Sequence, residues 1–126
     1  MEQVRVGDAH FDNPQRLAIS NTIRTAELAS RIEFSVFVGT SHGHPRAYAT
    51  QLHNSLVAPA RTIVIMVDPD ARALEIVAGG WVRDRVSDAD AQAVADEMAG
   101  IIAGGDLAGG IIHGIEELAQ KARAHA

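Results

Sequence analysis

The run Arg61-Thr62-Ile63-Val64-Ile65-Met66-Val67, followed by Asp68-Pro69-Asp70-Ala71 and then Ala73-Leu74-Glu75-Ile76-Val77, decides the fold. The first segment is apolar at consecutive rather than alternate positions and rich in β-branched residues. That is the pattern of a strand covered on both faces, so it predicts the central strand of a sheet. Asp68-Pro69-Asp70-Ala71 reads as a turn, because Pro69 presets its own φ and Asp68 can accept a nearby backbone N–H. The segment 73–77 then returns antiparallel to the first, and Gly79-Gly80 stops it.

Working outward, Ile32-Glu33-Phe34-Ser35-Val36-Phe37-Val38 is a second β-branched and aromatic run, ended by Gly39. A polar loop from Thr40 to His44 follows. Pro45 opens a helix with Ala49, Leu52 and Leu56 on one stripe, and Pro59 closes that segment. Strand, helix and central strand over 32–67 predict a parallel, right-handed crossover. Before it, Asn13 as cap and Pro14 in the first turn start a helix that runs to about Ser30. After the hairpin, Ser87 caps a helix whose buried stripe is Val94, Met98, Ile101 and Ile102. Gly104-Gly105 is predicted to end it as a left-handed pair. Asp106 caps the last helix, with Leu107, Ile111, Ile115, Leu118 and Ala122 inward. Gly109, Gly110 and Gly114 lie on that helix at about 1 kcal/mol each relative to Ala. Close approach to the sheet or to the preceding helix is the expected gain. Residues 1–12 carry little pattern beyond a short edge strand at Val4–Val6 and read as a loose N-terminal segment. The order α-β-α-β-β-α-α predicts an α/β fold: a three-layer αβα sandwich, a small mixed sheet with helices on both faces, in one domain spanning 1–126.

Composition narrows the function classes. The 126 residues are 47% hydrophobic and 21% charged, the balance of a globular chain. With 4% aromatics, the core must come from Ala, Val, Ile and Leu. The net charge of −5 argues against binding a nucleic-acid backbone. The absence of cysteine removes disulfides, thiol catalysis and Cys-ligated metals. Lys121, the single lysine, stands near the chain's end, and no phosphate-cradling G-x-x-x-x-G-K-[ST] occurs. No run approaches the roughly 18–20 apolar residues that span a membrane, and the first residues lack the pattern of a signal peptide. The expectation is a soluble, cytoplasmic protein without membrane or nucleic-acid partners.

Residues 13–120 resemble the TPM (phosphatase-like) domain family. The resemblance rests on Thr62–Val67, on the hairpin Asp70-Ala71-Arg72-Ala73-Leu74-Glu75-Ile76-Val77-Ala78-Gly79, on Val86-Ser87-Asp88, and above all on Gly104-Gly105-Asp106-Leu107-Ala108-Gly109-Gly110-Ile111-Ile112-His113-Gly114. It is nearest to short, soluble, uncharacterised actinobacterial members. The resemblance implies a three-layer αβα fold, and in better-studied members acid-phosphatase activity or calcium binding, often at a membrane or in a lumen. Two stretches depart from the family pattern. An acidic residue is expected before the central strand, where Ala58-Pro59-Ala60-Arg61 stands. A Glu is expected after the hairpin, where Gly79-Gly80-Trp81-Val82-Arg83 stands. Hairpin geometry puts both stretches at one sheet edge. Calcium wants about six or more oxygens, so what remains there, Arg61, Gly79, Trp81, Arg83 and Arg85, suits an anion or a partner surface instead.

Other constellations carry their own readings. Gly39-Thr40-Ser41-His42-Gly43 matches G-x-S-x-G between strand and helix, and Asp68 or Asp70 with His113 completes the order of a nucleophilic triad. Against it, the chain is short for that fold and His113 falls inside a helix. His42 and His44 offer two imidazoles, and Asp68 and Asp70 share their sheet edge, so these four are the candidate divalent-metal ligands. His53 and His113 read as helix residues rather than ligands. Trp81 is either a packed lid or a contact residue. Taken together, the sequence predicts a non-catalytic binding module for a partner protein or small anion. The alternatives are a weak metal-assisted acid phosphatase and a divalent-metal module.

Overall fold

The computed structural model describes residues 4–6 and 10–125. Strand β1 (Val4–Val6) leads to helix α1 (Asn13–Ser30), strand β2 (Glu33–Val38) and helix α2 (Pro45–Asn54). A single 3-10 turn (Pro59–Arg61) enters β3 (Thr62–Asp68), which turns into β4 (Ala73–Ala78). The short α3 (Gly80–Arg83), then α4 (Asp88–Ala103) and α5 (Leu107–Ala124), complete the chain.

The sheet has the order β1-β2-β3-β4. β1 and β2 are parallel, as are β2 and β3, and β4 is antiparallel to β3. All seven residues of β3 are buried, which is the centrality that its unbroken apolar run predicts. Ile63, Ile65 and Val67 join Phe34, Val36 and Val38 on one face, against Ile19 and Ile23 of α1, Val94 and Met98 of α4, and Ile111 and Ile115 of α5. Val64, Met66 and Val77 form the other face, covered by Ala49 of α2. The layers are therefore αβα, with three long helices on one side and one ten-residue helix on the other. The steps β1 to β2 and β2 to β3 run the same way across the sheet, yet α1 and α2 lie on opposite faces. The two crossovers must then differ in hand, so one departs from the usual right-handed rule.

Several local expectations are corrected. The cap of α1 is Asp12, not Asn13: its side chain accepts from the Gln15 N–H while Gln15 reaches back to the Asp12 N–H, a closed capping box. The expected loose segment 1–12 is partly tied down, since Val4–Val6 pairs with β2 and Phe11 is buried. Residues 1–3 and 7–9 lie outside the described residues. Of the Gly104-Gly105 pair, only Gly105 has positive φ (+103°); Gly104 is right-handed. Ile101 and Ile102 are half-buried, leaving Val94 and Met98 as the buried residues of α4. Leu56 lies beyond the end of α2, and Pro59 opens a turn of helix rather than only closing one.

The glycines of α5 do bring it close to α4. A methyl group at Gly110 would press on the Ile102 side chain, and one at Gly114 would collide with the Met98 sulfur. Gly109 lies beneath the Asp106 carboxylate, which caps the helix by accepting from the Gly109 N–H at 2.9 Å.

Candidate functional site

The 3-10 turn and the end of β4 meet at one edge of the sheet. The Gly79 N–H donates to the Thr62 carbonyl at 3.1 Å. A Cβ at Gly79 would run into the carbonyl oxygens of Pro59 and Ala60, so only glycine lets the two backbones approach this closely. The chain then coils into α3. Val82 and Val86, both buried, anchor that coil, and the Val82 carbonyl accepts from the Arg85 and Val86 N–H groups.

This coil presents Trp81, half-buried against the main core, with its ring toward two cations. The Arg85 guanidinium carbon lies 3.6 Å from the ring centroid and that of Arg61 lies 3.9 Å from it. The contact holds each guanidinium plane through the ring's negative face, an interaction of about 0.5–1 kcal/mol at exposed sites. Arg85 also donates to the Trp81 carbonyl at 2.9 Å, and Arg61 makes a long contact of 3.5 Å to the Arg31 carbonyl. Arg83, on the same short helix, is exposed. Among the described residues, no carboxylate lies within ion-pair distance of Arg61, Arg83 or Arg85. Of the residues predicted for this edge, Arg61, Gly79, Trp81 and Arg85 come together.

Arg31 was not visible as a member. It follows α1 in the left-handed conformation at φ 65°, where sequence alone would look for glycine. Its proximity to Arg61 comes from the pairing of Glu33 with Thr62, which sets the starts of β2 and β3 side by side.

The opposite edge holds Asp68, only 2% exposed. One of its oxygens accepts from both the Ser41 N–H (2.8 Å) and the Ser41 hydroxyl (2.7 Å); the other accepts from the Ala71 N–H (3.1 Å). The Ser41 backbone bond above all, then the Ser41 hydroxyl, holds the Asp68 carboxyl below its usual pKa. Burial opposes that shift and is outweighed. Asp68 therefore ties the β2–α2 loop to the hairpin turn.

This arrangement corrects the two other site expectations. Among the described residues, no group of three or more His, Asp or Glu side chains is placed to hold a metal ion. Asp68 has committed its oxygens to N–H and O–H donors, His42 packs edge-on against Tyr48 with ring centroids 5.6 Å apart, and His44 and Asp70 are exposed. The triad does not form either. Ser41 donates its proton directly to Asp68, and His113 pairs with Glu97 of α4 at 2.7 Å. His53 is a buried residue of α2, as its reading as a helix residue allowed. Its Nε2 lies 3.0 Å from the Thr62 carbonyl, which can only accept, so that nitrogen carries the proton.

Residues 2–119 match the family model described as Domain of unknown function (DUF5130). The chain belongs to the DUF5130 family. Solved structures place its fold in wider company. This DUF5130 chain is similar to the BA42 protein of the psychrophilic bacterium Bizionia argentinensis, with a TM-score of 0.84 at 20% identity, over 94% of this chain and 85% of that one. It is also similar to the N-terminal domain of a protein from P. gingivalis, with a TM-score of 0.82 at 15% identity over 99% and 87% of the two chains. A third likeness is to the N-terminal domain of a Corynebacterium glutamicum protein, with a TM-score of 0.81 at 15% identity over 100% and 83%. At these identities the likeness is one of fold. Among the described residues of the DUF5130 chain, no helix is long and apolar enough to cross a membrane.

Proposed function

We propose that this DUF5130 chain is a non-catalytic, TPM-like binding module that recognises oxyanions, carried by a partner protein or free, through Arg61, Trp81, Arg83 and Arg85. One observation carries the reading: Arg61 and Arg85 are both stacked on Trp81 while no carboxylate pairs with either among the described residues. A planar guanidinium held in place loses less freedom when its fork closes on a carboxylate or phosphate. An arriving anion also relieves the repulsion between the two cations.

A partner's carboxylates are favoured over a lone small anion. Among the described residues, the clefts beside α1 and α5, beside β3 and α4, and beside β2 and α2 are not lined by these residues, so a free ion here stays hydrated, whereas a protein surface excludes water over the whole patch. The net charge of −5 over the whole chain disfavours non-specific acidic contacts and leaves this cationic edge as the local exception.

Trp81 is the chain's only tryptophan, so its emission reports the site directly. A glutamate-rich peptide should change Trp81 emission saturably, with the change weakening as salt rises and lost in Arg61→Gln and Arg85→Gln. Inorganic phosphate should act only at much higher concentration. Absence of any saturable change with either probe would sink the reading. Turnover of p-nitrophenyl phosphate with Ca²⁺, Mg²⁺ or Mn²⁺ would replace it with the phosphatase alternative.

A further inference from the structure

At the other end of β3 lies a cleft of about 610 Å³, inside the range of small-molecule sites. It opens beside the carboxyl end of a parallel strand, where ligands of open α/β sheets commonly sit. Its walls are Val67 and Leu74 of the hairpin and Ala99, Ile102 and Leu107 of the two helices opposite. These side chains are aliphatic. They give no hydrogen-bonding edge to read a base or a sugar.

Two charged residues line it, and they differ in availability. Asp68 has its oxygens engaged by Ser41 and Ala71. Arg72 is exposed at the rim, and its guanidinium makes no hydrogen bond or ion pair among the described residues. Among the described residues, Arg72 is also one of two non-glycine residues with positive φ, at 53°. An L side chain in that region is disfavoured and glycine is the usual solution. The hairpin thus carries a cation at a strained position on the lip of an aliphatic cleft.

We infer that this cleft is a binding site for an aliphatic monocarboxylate, with the alkyl chain along Leu74, Ile102 and Leu107 and the carboxylate on Arg72. The site is separate from the Arg61–Trp81 edge, at the opposite end of the same strand, and does not depend on what that edge binds.

The test is a titration of the ¹⁵N-labelled protein with hexanoate, octanoate and decanoate below their micelle concentrations, with decanol as the uncharged control. Shifts should cluster at Leu74, Ile102 and Leu107, and affinity should rise about fourfold per added methylene. Decanoate should bind about threefold to fivefold tighter than decanol, and Arg72→Gln should erase that difference. Arg72→Gly, which suits the backbone, should keep the fold and lose the same preference. The proposal is overturned if decanol matches decanoate on the wild type, if Arg72→Gln leaves the preference intact, or if the shifts map to Trp81 or nowhere.

Discussion

The Ser41 hydroxyl donates to Asp68 across 2.7 Å while the Ser41 backbone N–H donates to the same carboxylate oxygen at 2.8 Å. One serine thus uses both of its donors on one acid, 27 residues away in sequence. The pair closes the β2–α2 loop onto the β3–β4 turn. It also takes Ser41 out of a Ser-His-Asp arrangement: its hydroxyl donates directly to Asp68, while His113 pairs with Glu97.

Asp68→Asn should therefore destabilise the protein by about 1.5–3 kcal/mol at neutral pH, the range for hydrogen bonds to a charged group. The pH dependence has a definite sign. The folded-state pKa of Asp68 lies below its ordinary value of 3.8. Its stabilisation is thus complete above that value and is lost as pH falls through the lower, folded-state pKa. Urea denaturation across an acid series should show a steeper loss for wild type than for Asp68→Asn, with the two curves converging at the acid end. Parallel curves would show that the ionised carboxylate is not what holds the loop.

Arg72→Gly should raise stability. The left-handed conformation at φ 53° disfavours a side chain by about 1–2 kcal/mol, while glycine's extra freedom in the unfolded chain returns about 0.5–1. The expected net gain is about 0.5–1 kcal/mol, visible as a rise in Tm of a few degrees. An unchanged or lower Tm would mean that the Arg72 side chain stabilises the fold by contacts of its own.

Gly79→Ala should be among the most damaging single-methyl changes. The added carbon meets the backbone carbonyls of Pro59 and Ala60, which cannot rotate away as a side chain can. A loss of about 2–3 kcal/mol is expected, at the upper end for overpacking. Because the same contact seats the turn that carries Arg61, the Trp81 emission spectrum should change with it.

Gly114→Ala tests the approach of α5 to α4. Its methyl group collides with Met98, which is fully buried, so the loss should be about 1–3 kcal/mol. Met98 is a flexible side chain, and shortening it makes room. The double variant Gly114→Ala with Met98→Ala should be more stable than the sum of the single losses allows, by about 1 kcal/mol in a double-mutant cycle. Strict additivity would place the collision elsewhere.

The sequence by itself determined the frame of this protein. The unbroken run 62–67 fixed the central strand, the Asp68 and Pro69 turn fixed the hairpin, and Ser87 and Asp106 fixed two helix starts. These are signals of short range, because a cap, a turn or a strand pattern depends on residues a few positions apart. The sequence also pointed to the edge of Arg61, Gly79, Trp81 and Arg85, since a hairpin necessarily brings its two outer ends together. Only the tertiary structure decided how side chains meet there and at the opposite edge. Nothing in the order of residues says that Trp81 receives two guanidiniums, that Arg31 stands beside Arg61, or that Asp68 spends its lone pairs on Ser41 and Ala71 rather than on a metal. The reason is physical. Elements follow from local backbone preference, whereas a site follows from strand register and from which donors reach an acceptor first. Those are settled when segments distant in the chain pack together.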